Sequence, residues 1–95
     1  MIIPLNEKNL PPACFLFKHS TQCPISSAAA EEVRSVEASM PLYWINVIEQ
    51  RDLSDWVESE YGLRHESPQL ILFEDGKVKE SWSHRAIKKD LLCVD

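Results

Sequence analysis

The chain has 95 residues, 44% of them hydrophobic and 26% charged. That suits one small folded domain over 1–95 and is too apolar for a disordered segment. Fifteen acidic against ten basic residues leave a net charge of −5, which repels polyanions and argues against a nucleic-acid partner.

The N-terminal run Met1-Ile2-Ile3 is cut short by Pro4. Neither a signal peptide nor a membrane span is expected, and the expected location is the cytoplasm. Residues 1–12, with Pro4, Pro11 and Pro12, read as a loop or a short turn of helix. Cys14-Phe15-Leu16-Phe17 is a compact apolar run that suits a strand buried on both faces. A helix then opens at or near Cys23, with Pro24 suited to its first turn and Ile25, Ala29, Val33 and Val36 on its apolar face.

Pro41 ends that unit, and Leu42 to Val47 form a second strand. The next helix has Asp52 as its expected cap, Leu53, Trp56, Val57 and Tyr61 on one face, and Gly62 as its stop. Gln69 to Phe73 make a third strand. Glu74-Asp75-Gly76-Lys77 signals a hairpin turn, with Val78 to Trp82 returning. Ser83 is the expected cap of a last helix, with Ile87 and Leu91 facing inward and Trp82 and Ile87 stapled around the cap. The fold class is therefore α/β: β-α-β-α-β-β-α, a four-stranded mixed sheet flanked by helices.

Three cysteines, Cys14, Cys23 and Cys93, do not make a disulfide framework. A reducing compartment would keep them as free thiols. His19, His65 and His84 stand singly, without zinc-ligand spacing, and no metal is expected.

A cysteine opening the first helix and Ser67-Pro68 opening the third strand, in this order of elements, resemble the thioredoxin superfamily. The stretches "FKHSTQCPIS", "ESPQLILFEDGKV" and "WSH" together resemble the monothiol bacilliredoxins of the YtxJ type, from about Phe15 to Leu91. The resemblance implies a thioredoxin-like fold and a cis Ser67–Pro68 bond against the reactive cysteine. It also implies a thiol-disulfide oxidoreductase that removes bacillithiol, a low-molecular-weight thiol that some bacteria use in place of glutathione, from client proteins. No bound cofactor is implied. Bacillithiol would be a co-substrate, and S-bacillithiolated proteins the partners.

Residue chemistry points the same way. A thiolate, not a thiol, attacks a disulfide, and a helix N-terminus favours negative charge. Cys23 is the expected nucleophile. Ser26, one turn in, is expected to offer its N–H and hydroxyl to the sulfur without being able to close a disulfide. Lys18, His19 and Thr21 either tune the thiolate or form a solvated strand end. Ser67, Pro68, Ser83, His84 and His19 are the expected substrate contacts. Cys14 lies roughly 16 Å back along its strand at 3.3 Å per residue. Cys93 would be roughly 13 Å down a last helix at 1.5 Å per residue. Both exceed the Cα separation of about 7 Å that a disulfide tolerates.

Two other functions compete. A monothiol glutaredoxin-like iron–sulfur carrier would need room beside the sulfur, which Pro24-Ile25 restricts. A non-enzymatic thioredoxin-like binding module would leave Cys23 without a role. An arsenate reductase-like reading is weaker, because Ser26 stands where those enzymes carry arginine.

Overall fold

A computed structural model describes residues 2–93. Its sheet has five strands rather than four, in the order β1-β3-β2-β4-β5: β1 Ile2–Pro4, β2 Cys14–His19, β3 Leu42–Asn46, β4 Gln69–Glu74 and β5 Lys77–Ser83. Strands β1, β3 and β2 run parallel, β4 is antiparallel to β2, and β5 returns antiparallel to β4.

The extra strand corrects the expectation of a loop or short helix at the N-terminus. Ile2, Ile3 and Pro4 pair with Leu42, Tyr43 and Trp44, and the Leu5 N–H donates to the Trp44 carbonyl (3.0 Å). A proline is tolerated there because β1 is an edge strand.

Alternation along the central strands sorts the core into two layers. Phe15, Phe17, Leu70 and Leu72 face helix α1, Pro24–Arg34, and pack with Ala29, Ala30 and Val33. Cys14, Leu16, Ile71 and Phe73 face the other way, toward helix α2, Arg51–Tyr61, and meet Leu53 and Val57. Phe15 and Phe17 have no exposed surface. Each such side chain contributes roughly 1.5–3 kcal/mol by leaving water.

The buried stripe of α1 is Ser26, Ala29, Ala30 and Val33; of the expected face, Ala29 and Val33 are buried, Ile25 is half-buried, and Val36 lies past the helix end, partly buried against the core. In α2 the N-cap is Gln50, with Asp52 inside the first turn. The Gln50 amide has tertiary work instead: it accepts from the Asn46 N–H (3.0 Å) and donates to the Leu5 carbonyl (2.8 Å). Gly62 ends α2 at φ +64°, and Asp75-Gly76 turn the hairpin at φ +56° and +74°, the doubly left-handed pair that such turns require.

The last helix is corrected too. Two short 3₁₀ turns, His84–Ala86 and Lys89–Leu92, are separated by extended backbone at Ile87 and Lys88. Ser83 makes no side-chain cap bond, and without an α-helix there is no staple. Ile87 and Leu92 are the fully buried anchors, with Leu91 partly buried against the same cluster. Among the described residues, no helix is long and apolar enough to cross a membrane.

Candidate active site

Strand β2 delivers the chain to its C-terminal end at His19, and the turn Ser20 to Gln22 leads into α1. Cys23 is the N-cap residue, with φ −116° and ψ +119°, and Pro24 occupies the first helical turn. The Cys23 carbonyl accepts the Ser27 N–H (3.1 Å) and its own N–H reaches the Ser20 carbonyl (3.4 Å). Its side chain is part-exposed and its thiol is free. Backbone N–H groups of the first turn converge on an N-cap side chain, and the helix dipole adds to their effect. Among the described residues, no first-turn N–H makes a hydrogen bond to the Cys23 sulfur.

Ser26 acts differently from the expectation. Its side chain is fully buried. Its Oγ accepts the Ser20 N–H (2.8 Å) and lies 2.9 Å from Nδ1 of His19. No hydrogen bond joins this hydroxyl to the Cys23 sulfur among the described residues; it braces the loop that carries the sulfur.

His19 completes that brace. Its ring packs against Phe17 and Trp44 at centroid distances of 6.0 and 5.3 Å. Burial, then the Arg34 guanidinium, lowers its pKa below the ordinary histidine value, opposed by the hydrogen bond with Ser26. That shift favours the neutral ring, which is held beneath the loop. Thr21 is exposed on the turn.

The other wall comes from the start of β4. The Ser67–Pro68 peptide bond is cis, and Pro68 is buried. Lys18 pairs with Gln69 across β2 and β4. Gln69 faces α2, so Pro68, one residue earlier, is set on the face that carries α1. The ladder begins at Gln69, and no strand pair involves the Ser67 backbone.

The Pro68 carbonyl accepts the His84 N–H (3.0 Å), which brings the end of β5 alongside. His84 takes φ +54°, a left-handed conformation costing a non-glycine residue roughly 1–2 kcal/mol. Its Nε2 lies 3.6 Å from the Glu66 carboxylate. Ser83, half-buried, sits opposite Gln69 in the ladder. The structure therefore brings Cys23, Pro24, Ser67, Pro68, Ser83 and His84 to one end of the sheet, with Ser26 and His19 beneath.

Lys18 corrects the reading of a thiolate-tuning residue or a solvated strand end. Its side chain has no exposed surface, and Nζ has no hydrogen-bond partner. It points to the α2 face, away from the helix that carries Cys23. Burial lowers its pKa from 10.5 to about 8, against the pull of Glu58, Asp55 and Glu66. The Ser67 Oγ and Gln69 Oε1 are likewise buried without partners. A lysine in the sequence gives no sign of such burial, because the side chain is long enough to reach water from most strand ends.

The remaining cysteines sit at the opposite end. Cys14 is buried, its sulfur 3.6 Å from the Pro11 carbonyl, and burial raises its pKa to about 11. Cys93 is exposed and follows Leu92, whose carbonyl accepts both the N–H and the hydroxyl of Ser39 (2.9 and 3.2 Å). Ser39 lies past the C-terminal end of α1, and eleven residues of helix, roughly 16 Å at 1.5 Å each, separate that end from Cys23. The distance expected along a last helix is thus replaced by one along α1, and Cys93 remains far from Cys23.

A groove of about 370 Å³ opens between α1 and the turn after β5, starting at Pro24, the residue after Cys23. Its walls include Pro24, Ile25, His84, Arg85 and Lys88. Neither Arg85 nor Lys88 belongs to a motif in the sequence. Only the fold places them beside the cysteine's helix.

The family model described as monothiol bacilliredoxin BrxC matches residues 4–92. The chain belongs to this monothiol bacilliredoxin family. A solved structure described as having a thioredoxin fold is 28% identical, with a TM-score of 0.78, covering 94% of this chain and 88% of that one. A thioredoxin mutant from Halobacterium salinarum is 23% identical, with a TM-score of 0.61, covering 85% and 72%. The thioredoxin from Aeropyrum pernix is 15% identical, with a TM-score of 0.58, covering 83% and 68%. The fold is thioredoxin-like, and the family is one of thiol-disulfide oxidoreductases acting on thiol-modified proteins.

Proposed function

We propose that this protein removes bacillithiol from protein mixed disulfides, using Cys23 as its one working thiol. The observation that carries the reading is the position of Cys23 at the N-cap of α1, with Ser26 where a second cysteine would stand and both other cysteines at the far end of the domain. The Cys23 thiolate attacks the bacillithiol sulfur of a client's mixed disulfide. That S–S bond breaks, a bond from Cys23 to bacillithiol forms, and the client leaves as a thiolate that takes a proton from solvent. The thiolate of a second bacillithiol then attacks the bound bacillithiol sulfur, releasing bacillithiol disulfide and restoring Cys23.

Attack on the small-thiol sulfur is favoured if the unpaired Ser67 backbone aligns that thiol beside Pro68. Ser83, His84 and Thr21 then supply polar contacts from the rim, while His19 acts from beneath through Ser26. Pro24 opens the helix whose N-terminus carries the sulfur, and Ser26 braces the loop behind it. No bound cofactor enters the cycle, and the reducing chemistry of the cytoplasm suits it.

The test is transfer of the modifying group. Reduced protein is mixed with a bacillithiolated peptide, and both are followed by intact mass. The reading predicts free peptide together with a bacillithiol adduct on Cys23. Free peptide formed equally by Cys23→Ala would overturn it.

A further inference from the structure

We infer that the groove between α1 and the turn after β5 holds the non-reacting arm of the small thiol, and that it selects an arm carrying both carboxylate and ammonium groups. This deepens the proposed function and rests on it. A volume of about 370 Å³ lies within the range of small-molecule sites.

The groove begins at Pro24 and Ile25, immediately after the reactive cysteine, and its opposite wall begins at His84, whose N–H is fixed to the Pro68 carbonyl (3.0 Å). A small thiol bonded to Cys23 can extend its remaining atoms past Pro24 and between these walls. The walls differ in charge. Arg85 and Lys88 stand on the turn, and Glu31 and Glu32 on α1. Among the described residues no ion pair closes across the gap, and no hydrogen bond engages the side chains of Arg85, Lys88 or Glu31. Glu32 is committed to the frame, accepting the Lys89 N–H (2.8 Å). Two cations thus face two carboxylates across a cleft with no ion pair between them among the described residues, an arrangement complementary to a ligand with both signs of charge. Bacillithiol, with malate carboxylates and an amino group, is such a thiol.

The experiment measures removal of two groups from the same peptide: bacillithiol, and β-mercaptoethanol as a neutral thiol. For the double variant Arg85→Gln/Lys88→Gln, kcat/KM on the bacillithiol conjugate should fall about tenfold, the size expected for lost charge-assisted hydrogen bonds. The rate on the neutral conjugate should stay within about twofold, which also reports that the variant is folded. The unaltered protein gives an independent readout: raising salt should increase KM for the bacillithiol conjugate and leave the neutral one unchanged. Equal losses on both conjugates, no loss on either, or a KM indifferent to salt would overturn the groove assignment while leaving de-bacillithiolation standing. Failure of the unaltered protein to act on the bacillithiol conjugate at all would instead overturn the function on which the assignment rests.

Discussion

The Oγ of Ser26 lies 2.9 Å from Nδ1 of His19 and 2.8 Å from the backbone nitrogen of Ser20, so one buried hydroxyl ties the first turn of α1 to the end of β2. Serine at this position does more than leave out a second thiol. It fixes the loop that presents the first one.

Replacing Ser26 with alanine removes that tie and leaves the Ser20 N–H and the His19 ring nitrogen without their partner. The expected loss is about 1–3 kcal/mol of stability, read as a lower urea midpoint. A variant as stable as the parent would show that water replaces the hydroxyl at no cost.

Lys18 gives a pH-dependent prediction. Burial lowers its folded-state pKa from 10.5 to about 8. Between those values the unfolded chain holds a proton that the folded protein has released, so this group's effect on stability becomes more favourable as pH rises through the window. Cys14 works in the opposite sense, because its pKa is raised from 9.0 to about 11 and the folded thiol keeps a proton that the unfolded one loses. Comparing the parent with Lys18→Met isolates the lysine. The variant should be more stable at pH 7 by roughly 1–4 kcal/mol, with the advantage shrinking from pH 8 toward 10.5. A difference independent of pH would contradict the burial of a charged ammonium.

Cysteine accessibility should separate the three thiols. At pH 7.5, iodoacetamide should label Cys23 and Cys93 in the native protein. Cys14, buried and with its pKa raised to about 11, should be labelled only after denaturant is added. Peptide mass mapping reads this directly, and native labelling of Cys14 would show that its layer of the core opens.

Much of this architecture is written in local signals. The Cys23-Pro24 entry, the Gly62 stop and the Asp75-Gly76 turn each have a backbone requirement that names the residue type. What escaped the sequence depends on tertiary context. A three-residue edge strand at Ile2–Pro4 exists because β3 offers it a partner. The segment after Ser83 carries helical spacing, yet it breaks into two short turns because Ile87 and Leu92 are the positions that the core takes up. The Ser26–His19 contact, the burial of Lys18 and the charged walls of the groove all arise between elements that the sequence keeps apart.

The most direct test of the central claim asks whether one thiol is enough. Turnover of a bacillithiolated client, with free bacillithiol as the reductant, is measured for the parent, Cys23→Ala and the double variant Cys14→Ala/Cys93→Ala. Cys23→Ala should be inactive, and the double variant should turn over at the parental rate. A double variant that is folded but inactive would mean that an internal cysteine resolves the intermediate, which the placement of Cys14 and Cys93 at the far end of the domain forbids.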